Sequence, residues 1–445
     1  MQSEYDIIVV GAGVAGGVFA CSQKDTGRKI LVVERDLSEP DRIIGELLQP
    51  GGLESLKALK LDYLTEGFGA QPVYGYTLIK GDRNFSIEYK DAGSAAYGLG
   101  LRNGKFLTTI RTELQNLENV TLVEGDVTDT IESGGRVTGV KYTDKSTGNQ
   151  VEAHAPLTVV CDGPLSLFRE KLSVPNKEVS SYFMGLVLKD VQPLKESHGH
   201  MIVSGDSPVL VYPINDNEWR ILIDYPGTKP PRLGEKLKES LKKEVTPLLP
   251  EGMQQPFVTA LENDPLQVMP NHKMKAQARH KDGVALLGDI LNMRHPLTGG
   301  GMTAVFSDII TLNSKLDGVD FSDKKKTADA VNAYYLNRSR GVETINILAN
   351  ALYQVMIDED LKMACFEYLN AGGEKSSGPL SILAGMNRDK QFLLKHFFRV
   401  AMQHPVDFVL RPAKQFRLLN KAVGIIRPIL KEEGKPAVLD TDAGK

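Results

Sequence analysis

The sequence has 445 residues, a formal charge of −3 and 24% charged residues. That length asks for about two domains or slightly more, and near-neutrality leaves no global field for nucleic acid or an acidic partner. Three cysteines, Cys21, Cys161 and Cys365, stand at no metal-type spacing and make no disulfide framework, which points to a reducing compartment. No secretory segment precedes the first strand, and no apolar run reaches the roughly 18 residues of a membrane-crossing helix.

In chain order, Tyr5–Val10 (YDIIVV) reads as a strand, followed by Gly11, Gly13 and Gly16 in GAGVAG and then a helix. A second strand, KILVVE, ends at Glu34, 18 residues beyond Gly16. This is a dinucleotide-binding βαβ unit. Gly11 makes the turn, Gly13 lets backbone meet a pyrophosphate, Gly16 lets helix pack on strand, and Glu34 takes ribose hydroxyls. An acid at that strand end suits FAD or NAD and disfavours a 2′-phosphate. Arg35 and Arg42 follow closely; they could hold adenine or pyrophosphate, or pair with Asp36, Glu39 and Asp41. Gln49 precedes Pro50-Gly51-Gly52, a start signal for a helix over LESLKAL, and could point into a pocket.

Residues 73–90 alternate like a hairpin with a Gly-Asp turn, and Tyr76 lies on one of its strands. Leu101–Leu117 reads as a helix with basic residues near its start, and Val120–Asp144 as three short strands. This order is that of a glutathione-reductase-type FAD domain, with Val127 where that fold lays backbone against adenine. Ala155–Glu170 ends a buried strand in Asp162-Gly163 and begins a helix that carries Arg169.

Four β-type runs follow, SSYFMGLVL, HMIVSG, SPVLVYPI and EWRILIDY, with NDNE as a hairpin turn between the last two. They form an antiparallel sheet expected to cover the flavin. LGEKLKESLKKEVTPLLP reads as one amphipathic helix ended by Pro250. Trp219, His198 and His200 read as packing and surface residues, with no metal. Val284–Leu287 is a third buried strand, followed by Gly288-Asp289, the glycines Gly299, Gly300 and Gly301, and a helix. Without a Cβ, backbone there can approach a flat ligand or a phosphate, and the helix start favours an anion. Beyond residue 340 the chain is helical. DKQFLLKHFFRVAMQ and FVLRPAKQFRLLNKAVGIIRPILK mix apolar and basic residues, as a membrane-surface helix or a packed helix with a solvated face would. The last residues, EEGKPAVLDTDAGK, read as frayed.

Three strand-end signatures in order, GxGxxG, Asp-Gly and Gly-Asp with the glycine triplet, resemble the group A flavin monooxygenases. The strings Glu34–Arg42 (ERDLSEPDR), Gly45–Gly52 (GELLQPGG), Asp162–Arg169 (DGPLSLFR), Asn346–Tyr353 (NILANALY) and above all Asn292–Thr303 (NMRHPLTGGGMT) narrow this. They resemble the squalene monooxygenase (squalene epoxidase) family, over about residues 5–385.

The fold this implies is α/β: a glutathione-reductase-type Rossmann FAD domain from 1–72, 98–165 and 275–340, an antiparallel β-sheet substrate domain from 73–97 and 166–274, and a C-terminal helical, membrane-associating region from 341–445. The resemblance implies that Glu34, Arg35, Arg42, Asp289 and Met302 contact FAD, with backbone near Val127 at the adenine. Asp162 and Gly300 belong to the same cofactor set. It implies that Tyr76 hydrogen-bonds Gln49 near the reacting end of squalene. The implied reaction epoxidises squalene to (3S)-2,3-oxidosqualene with O2, through a flavin C4a-hydroperoxide, in sterol biosynthesis. Electrons come from NADPH, by way of NADPH-cytochrome P450 reductase. The implied location is the cytosolic face of the endoplasmic reticulum membrane, as a peripheral or monotopic protein, with no nucleic acid bound.

Two departures matter. Lys105 stands where the family has arginine, keeping the charge and losing the bidentate fork. The C-terminal helices carry Arg, Lys and Gln where the family is strongly apolar, implying looser attachment or an altered sequence there. Two rival readings are a monooxygenase or prenyl reductase acting on another apolar substrate, and a non-catalytic escort or GDP-dissociation protein. The second class need not keep Asp289 and Gly299–Gly301, which are intact here.

Overall fold

Ile7–Val10, Leu157–Val160 and Val284–Leu286 are apolar save for Thr158, and every residue in them is buried. Runs without alternation suit a parallel sheet covered on both faces, and these three lie side by side in parallel. Ile30–Glu34 adds to the edge of Ile7–Val10. The computed structural model describes residues 4–90, 96–174, 176–402 and 412–439. The first sheet has seven strands. Its far edge corrects the expectation of three short strands in 120–144. Val120–Ser133 is one long strand, parallel to Ile30–Glu34 at its start and antiparallel to Arg136–Asp144 beyond. The third strand, Gln150–His154, comes after that stretch. Gly134 and Gly135, both at positive φ, make the turn, whereas Gly125 stays in the ladder.

The second sheet also has seven strands, ordered from Gln267–Lys273 through Glu178–Lys189, Glu218–Pro226, Val209–Pro213, Gly199–Ile202 and Gly75–Lys80 to Arg83–Glu88. It is antiparallel except where Gly199–Ile202 pairs in parallel with Gly75–Lys80. The hairpin over 73–90 and the NDNE turn are both present. One face of the sheet packs on helices Glu235–Glu244 and Glu251–Asn263. Here too the single amphipathic helix is corrected. It stops at Glu244, Thr246–Leu248 forms a tight turn, and Pro250 caps a second helix. Pro247 offers no N–H and disfavours helix before it. Trp219, His198 and His200 are all buried, so none is a surface residue.

The opposite face packs on the C-terminal helices. Among these, Ser339–Ile357 contacts Glu359–Asn370, Lys390–Ala401 and Pro412–Glu433. Residues 408–411, the start of the last predicted helix, lie outside the described residues. The end read as frayed is held at Val438–Leu439, which pairs with Ala278–Arg279; residues 440–445 lie outside the description.

The segment 43–49 straps the two sheets together. Ile43 is fully buried and lies over Gly185, where a Cβ would come within 2.9 Å of it. Glu46 forms a buried two-point pair with Arg220 of the second sheet, at 2.6 and 3.2 Å. Removing one partner of such a pair strands a buried charge, whereas replacing both with apolar groups is close to neutral. Arg220→Met is therefore expected to lower unfolding stability by about 3–5 kcal/mol, and adding Glu46→Leu to recover most of the loss, both read by urea denaturation.

Candidate active site

Parallel strands that end together place their following residues along one edge, the usual ligand edge of such a sheet. Glu34 ends the first, and Gly11, Asp162 and Asp289 follow the others, of four adjacent strands in the order Ile30–Glu34, Ile7–Val10, Leu157–Val160 and Val284–Leu286. Backbone bonds fix these ends to one another: Gly11 N donates to Val33 O, Cys161 N to Val10 O and Leu287 N to Val160 O, at 2.8 to 3.0 Å. The Glu34 carboxylate accepts from Ala12 N in the glycine loop at 2.5 Å. Arg169 staples the two distal turns, donating to Gly163 O at 2.9 Å and Asp289 O at 3.3 Å.

The glycines of this edge divide by what a Cβ would meet. At Gly11, at φ +98, it would lie 2.8 Å from Cys161 O, and at Gly16 it would lie 2.0 Å from Gly11 O. Those two glycines serve the protein's own packing. At Gly13 and Gly301 nothing lies within 4 Å. Both stand at the start of a helix with their backbone bare toward open space. Asp162 Oδ1 is buried with no partner, while Oδ2 accepts from Leu167 N at 3.1 Å. Burial raises the Asp162 pKa. A long ligand that brings an anion to helix starts and hydroxyls to acids, as FAD does, fits this edge.

The glycine triplet is not uniform. Gly299 is left-handed (φ +62) and its Cβ would lie 3.2 Å from Gln49 Nε2; Gly300 would meet Ile345 at 2.8 Å; only Gly301 is open. Met302, next in the helix, is buried. Gln49 is buried against this turn. Its Nε2 donates to Thr298 O and to Tyr76 Oη, both at 2.8 Å, and its Oε1 accepts from Tyr89 Oη at 2.6 Å. Tyr76 and Tyr89 pack edge to face with centroids 6.0 Å apart. Burial raises the pKa of both phenols, so both stay neutral. The Gln49–Tyr76 contact expected from the sequence is thus present, and Tyr89, which the sequence reading missed, sets the amide's orientation.

Arg42 and Lys105 come together on a cleft of about 400 Å³, where Lys105 pairs with Glu39 at 2.9 Å. Arg35 stands apart; it is exposed, and its carbonyl accepts from Lys145. Val127 is in the core, with a ladder irregularity just beyond it. Arg111 was also missed: it donates to Ala12 O at 3.2 Å and lies 3.9 Å from Glu34. Its signal was a charge inside the apolar stripe Leu107, Ile110 and Leu114. The three cysteines are free and buried, and among the described residues no His, Cys, Asp or Glu group could hold a metal. Gly13→Ala is expected to leave thermal stability within about 1 kcal/mol yet weaken FAD binding tenfold or more, measured by flavin fluorescence. Gly16→Ala is expected to lose stability and cofactor together.

A family model described as squalene epoxidase matches residues 154–420. Squalene epoxidase 3 of Arabidopsis thaliana is 41% identical, over 97% of this chain and 85% of its own length. The squalene epoxidase of Schizosaccharomyces pombe is 37% identical over 91% of each, and the squalene monooxygenase of Mus musculus 35% over 97% and 78%. Among solved structures, a probable FAD-dependent monooxygenase from Pseudomonas aeruginosa superposes with a TM-score of 0.66 at 19% identity, covering 82% of this chain and 99% of its own. The p-nitrophenol 4-monooxygenase of Pseudomonas putida gives 0.65 at 18%, covering 90% and 99%. The distant structures share the fold, and the sequence relatives carry the assignment: this chain belongs to the squalene epoxidase family.

Proposed function

We propose that this chain is an FAD-dependent monooxygenase that epoxidises squalene to (3S)-2,3-oxidosqualene. The reaction consumes O2 and NADPH-derived electrons and releases water. The observation that carries the reading is the clasp of Gln49 and Tyr76 on the glycine turn of a chain 35–41% identical to squalene epoxidases. Bound FAD, once reduced, activates O2 and supplies the oxygen that an alkene can attack. Glu34, Asp162, Asp289, Gly13, Gly300 and Met302 would hold it along the strand-end edge, with Arg42, Lys105 and the Val127 backbone at its outer part.

The chain's own residues then have to orient and enclose. Oxygen transfer to an alkene needs no protein nucleophile, and Tyr76 and Tyr89 are neutral hydrogen-bonding groups. Gln49 and Tyr76 fix position at the turn; the apolar face of the second sheet (Leu78, Phe183, Leu210 and Leu222) and the C-terminal helices above it supply a water-poor setting. The division into an FAD body (1–72, 98–165, 275–340), a substrate body (73–97, 166–274) and a helical region (341–445) belongs to this reading.

The finer reading adds NADPH-cytochrome P450 reductase as electron donor and the cytosolic face of the endoplasmic reticulum as location. No helix among the described residues is long and apolar enough to cross a membrane. Helix Pro412–Glu433 buries Leu418, Ala422 and Ile426 and exposes Phe416 and Val423 beside Asn420 and Arg427, a mixed apolar and basic face suited to lying on a bilayer.

Purified protein with FAD, NADPH, a reductase, detergent and squalene is expected to yield 2,3-oxidosqualene by mass spectrometry, and none without FAD or O2. Asp289→Ala should release flavin. Tyr76→Phe should lower kcat/KM about tenfold, the worth of one hydrogen bond of about 1.4 kcal/mol. Bound flavin with NADPH oxidised to peroxide and no epoxide would mean another substrate.

A further inference from the structure

Five buried side chains meet behind the glycine turn, one from each of three strands, a helix and the turn itself: Ser181, Asp224, Asn271, Tyr353 and His295. None belongs to the cofactor edge. Ser181 Oγ donates to Asp224 Oδ1 at 2.5 Å, and Tyr353 Oη donates to Oδ2 at 3.2 Å. Asn271 Nδ2 donates to Ser181 Oγ at 2.8 Å and lies 3.3 Å from Asp224 Oδ1. The His295 ring stacks on Tyr353, with centroids 3.8 Å apart and planes at 12°.

The hydrogens can be placed by counting. His295 Nδ1 accepts from Leu297 N at 3.2 Å, so the imidazole hydrogen sits on Nε2, 3.0 Å from Ser181 Oγ. A hydroxyl has one hydrogen and two lone pairs. Ser181 uses all three, giving its hydrogen to Asp224 and accepting from His295 and Asn271. An acid hydrogen on Asp224 Oδ1 would find no free lone pair on Ser181; on Oδ2 it would face the Tyr353 hydrogen. The arrangement therefore suits the carboxylate, and an acid hydrogen there needs the Tyr353 hydroxyl to turn and accept it. His295 in turn caps Pro296–Thr298, whose last carbonyl accepts from Gln49. One path runs from Asp224 by hydrogen bonds through Ser181 to His295, then along the Leu297–Thr298 backbone to the Gln49–Tyr76 pair.

We propose that ionised Asp224 is a positioning residue for the oxygen-transfer site, setting the His295 ring through Ser181 and Tyr353 and, through the Pro296–Thr298 turn, the orientation of Gln49 and Tyr76. The proposal rests on the epoxidase reading for its activity readout and on the hydrogen count alone for its structural one. Burial pushes Asp224 up to about 6, against the bonds from Ser181, Tyr353 and Asn271. The titratable groups facing it are His295, 3.9 Å away and pushed down to about 3 by burial, and Tyr353, raised to about 12 by burial. Neither changes charge between pH 5 and 8, so Asp224 is the member that does.

The test uses FAD-loaded protein at saturating squalene from pH 5 to 8. Wild-type kcat is expected to fall about tenfold per unit below pH 6, with KM changed less than twofold. Asp224→Asn should lower kcat at least tenfold and abolish that limb, with its fold checked by melting temperature. Tyr353→Phe keeps the stacked ring but takes a bond from the carboxylate, so its limb should move to higher pH. Independently of turnover, 15N-histidine NMR of the FAD-free protein should show the His295 Nε2 proton at pH 8 and its displacement at pH 5 and in Asp224→Asn. A wild-type limb that persists in Asp224→Asn, or one unmoved in Tyr353→Phe, would overturn the proposal. Should Asp224→Asn not fold, Tyr353→Phe and the wild-type NMR titration decide. Should no form make epoxide, the functional reading fails, and an unchanged His295 signal between pH 5 and 8 would overturn the network as well.

Discussion

Gln49 is a buried amide whose three bonds all go to different parts of the chain: the Thr298 carbonyl, the Tyr76 hydroxyl and the Tyr89 hydroxyl. Thr298 O can only accept, so Nε2 must face the turn and Oε1 must face Tyr89. An unmet buried amide group costs about 1–3 kcal/mol, so the strap 43–49, the tyrosine-bearing strands and the glycine turn are coupled in one register. The turn has to be built around that amide. Gly299 reverses the chain at φ +62 and leaves no Cβ to strike Gln49. The close approach that looks made for a ligand is, at this one glycine, made for a side chain. Only Gly301 keeps its bare backbone toward the open edge.

The second sheet supplies the counterpart. Successive residues of a strand face opposite sides, so Arg220, Leu222 and Asp224 share one face of Glu218–Pro226, while Trp219, Ile221 and Ile223 face the covering helices. One strand thus delivers the partner of Glu46, an apolar spacer and the carboxylate of the buried cluster. Gly185 lies opposite Leu222 in the ladder, and Ile43 fills the space a side chain there would take. The polar groups on this face sit where the strap, the glycine turn and helix Ser339–Ile357 press against the sheet. The opposite face is an apolar layer against the two covering helices, with His200 packed on Trp219 as a polar member.

Much of this was legible in the sequence because it rests on local rules. The three buried strands, the GxGxxG turn and Glu34 follow from periodicity and glycine placement, and the resemblance carried by NMRHPLTGGGMT supplied the Gln49–Tyr76 contact. What escaped was whatever depends on non-local pairing. Val120–Ser133 changes partner midway along its length, so no local pattern marks where one pairing ends. Pro247 and Pro250 split a helix that amphipathicity alone would continue. Tyr89 and Arg111 act through contacts 40 and 99 residues away in sequence. Asp224 shows only as an acid in an apolar strand, and His295 sits unremarked inside the string that gave the family away.

The buried cluster also separates stability from hydrogen-bond polarity. A histidine held neutral down to about pH 3 leaves the unfolded chain binding an extra proton below its ordinary value of 6.5, so its contribution to stability falls as pH falls. A carboxyl raised from 3.8 to about 6 does the reverse: the folded chain binds the extra proton, and stability rises as pH falls across that interval. Each effect runs at about 1.4 kcal/mol per pH unit, and between about pH 4 and 6 the two oppose one another. The cluster can gain a proton there with little net change in folding free energy. What does change is the direction of its hydrogen bonds, because Ser181 has no lone pair left to accept another hydrogen. Protonation of Asp224 is felt at His295 and along the turn that holds Gln49.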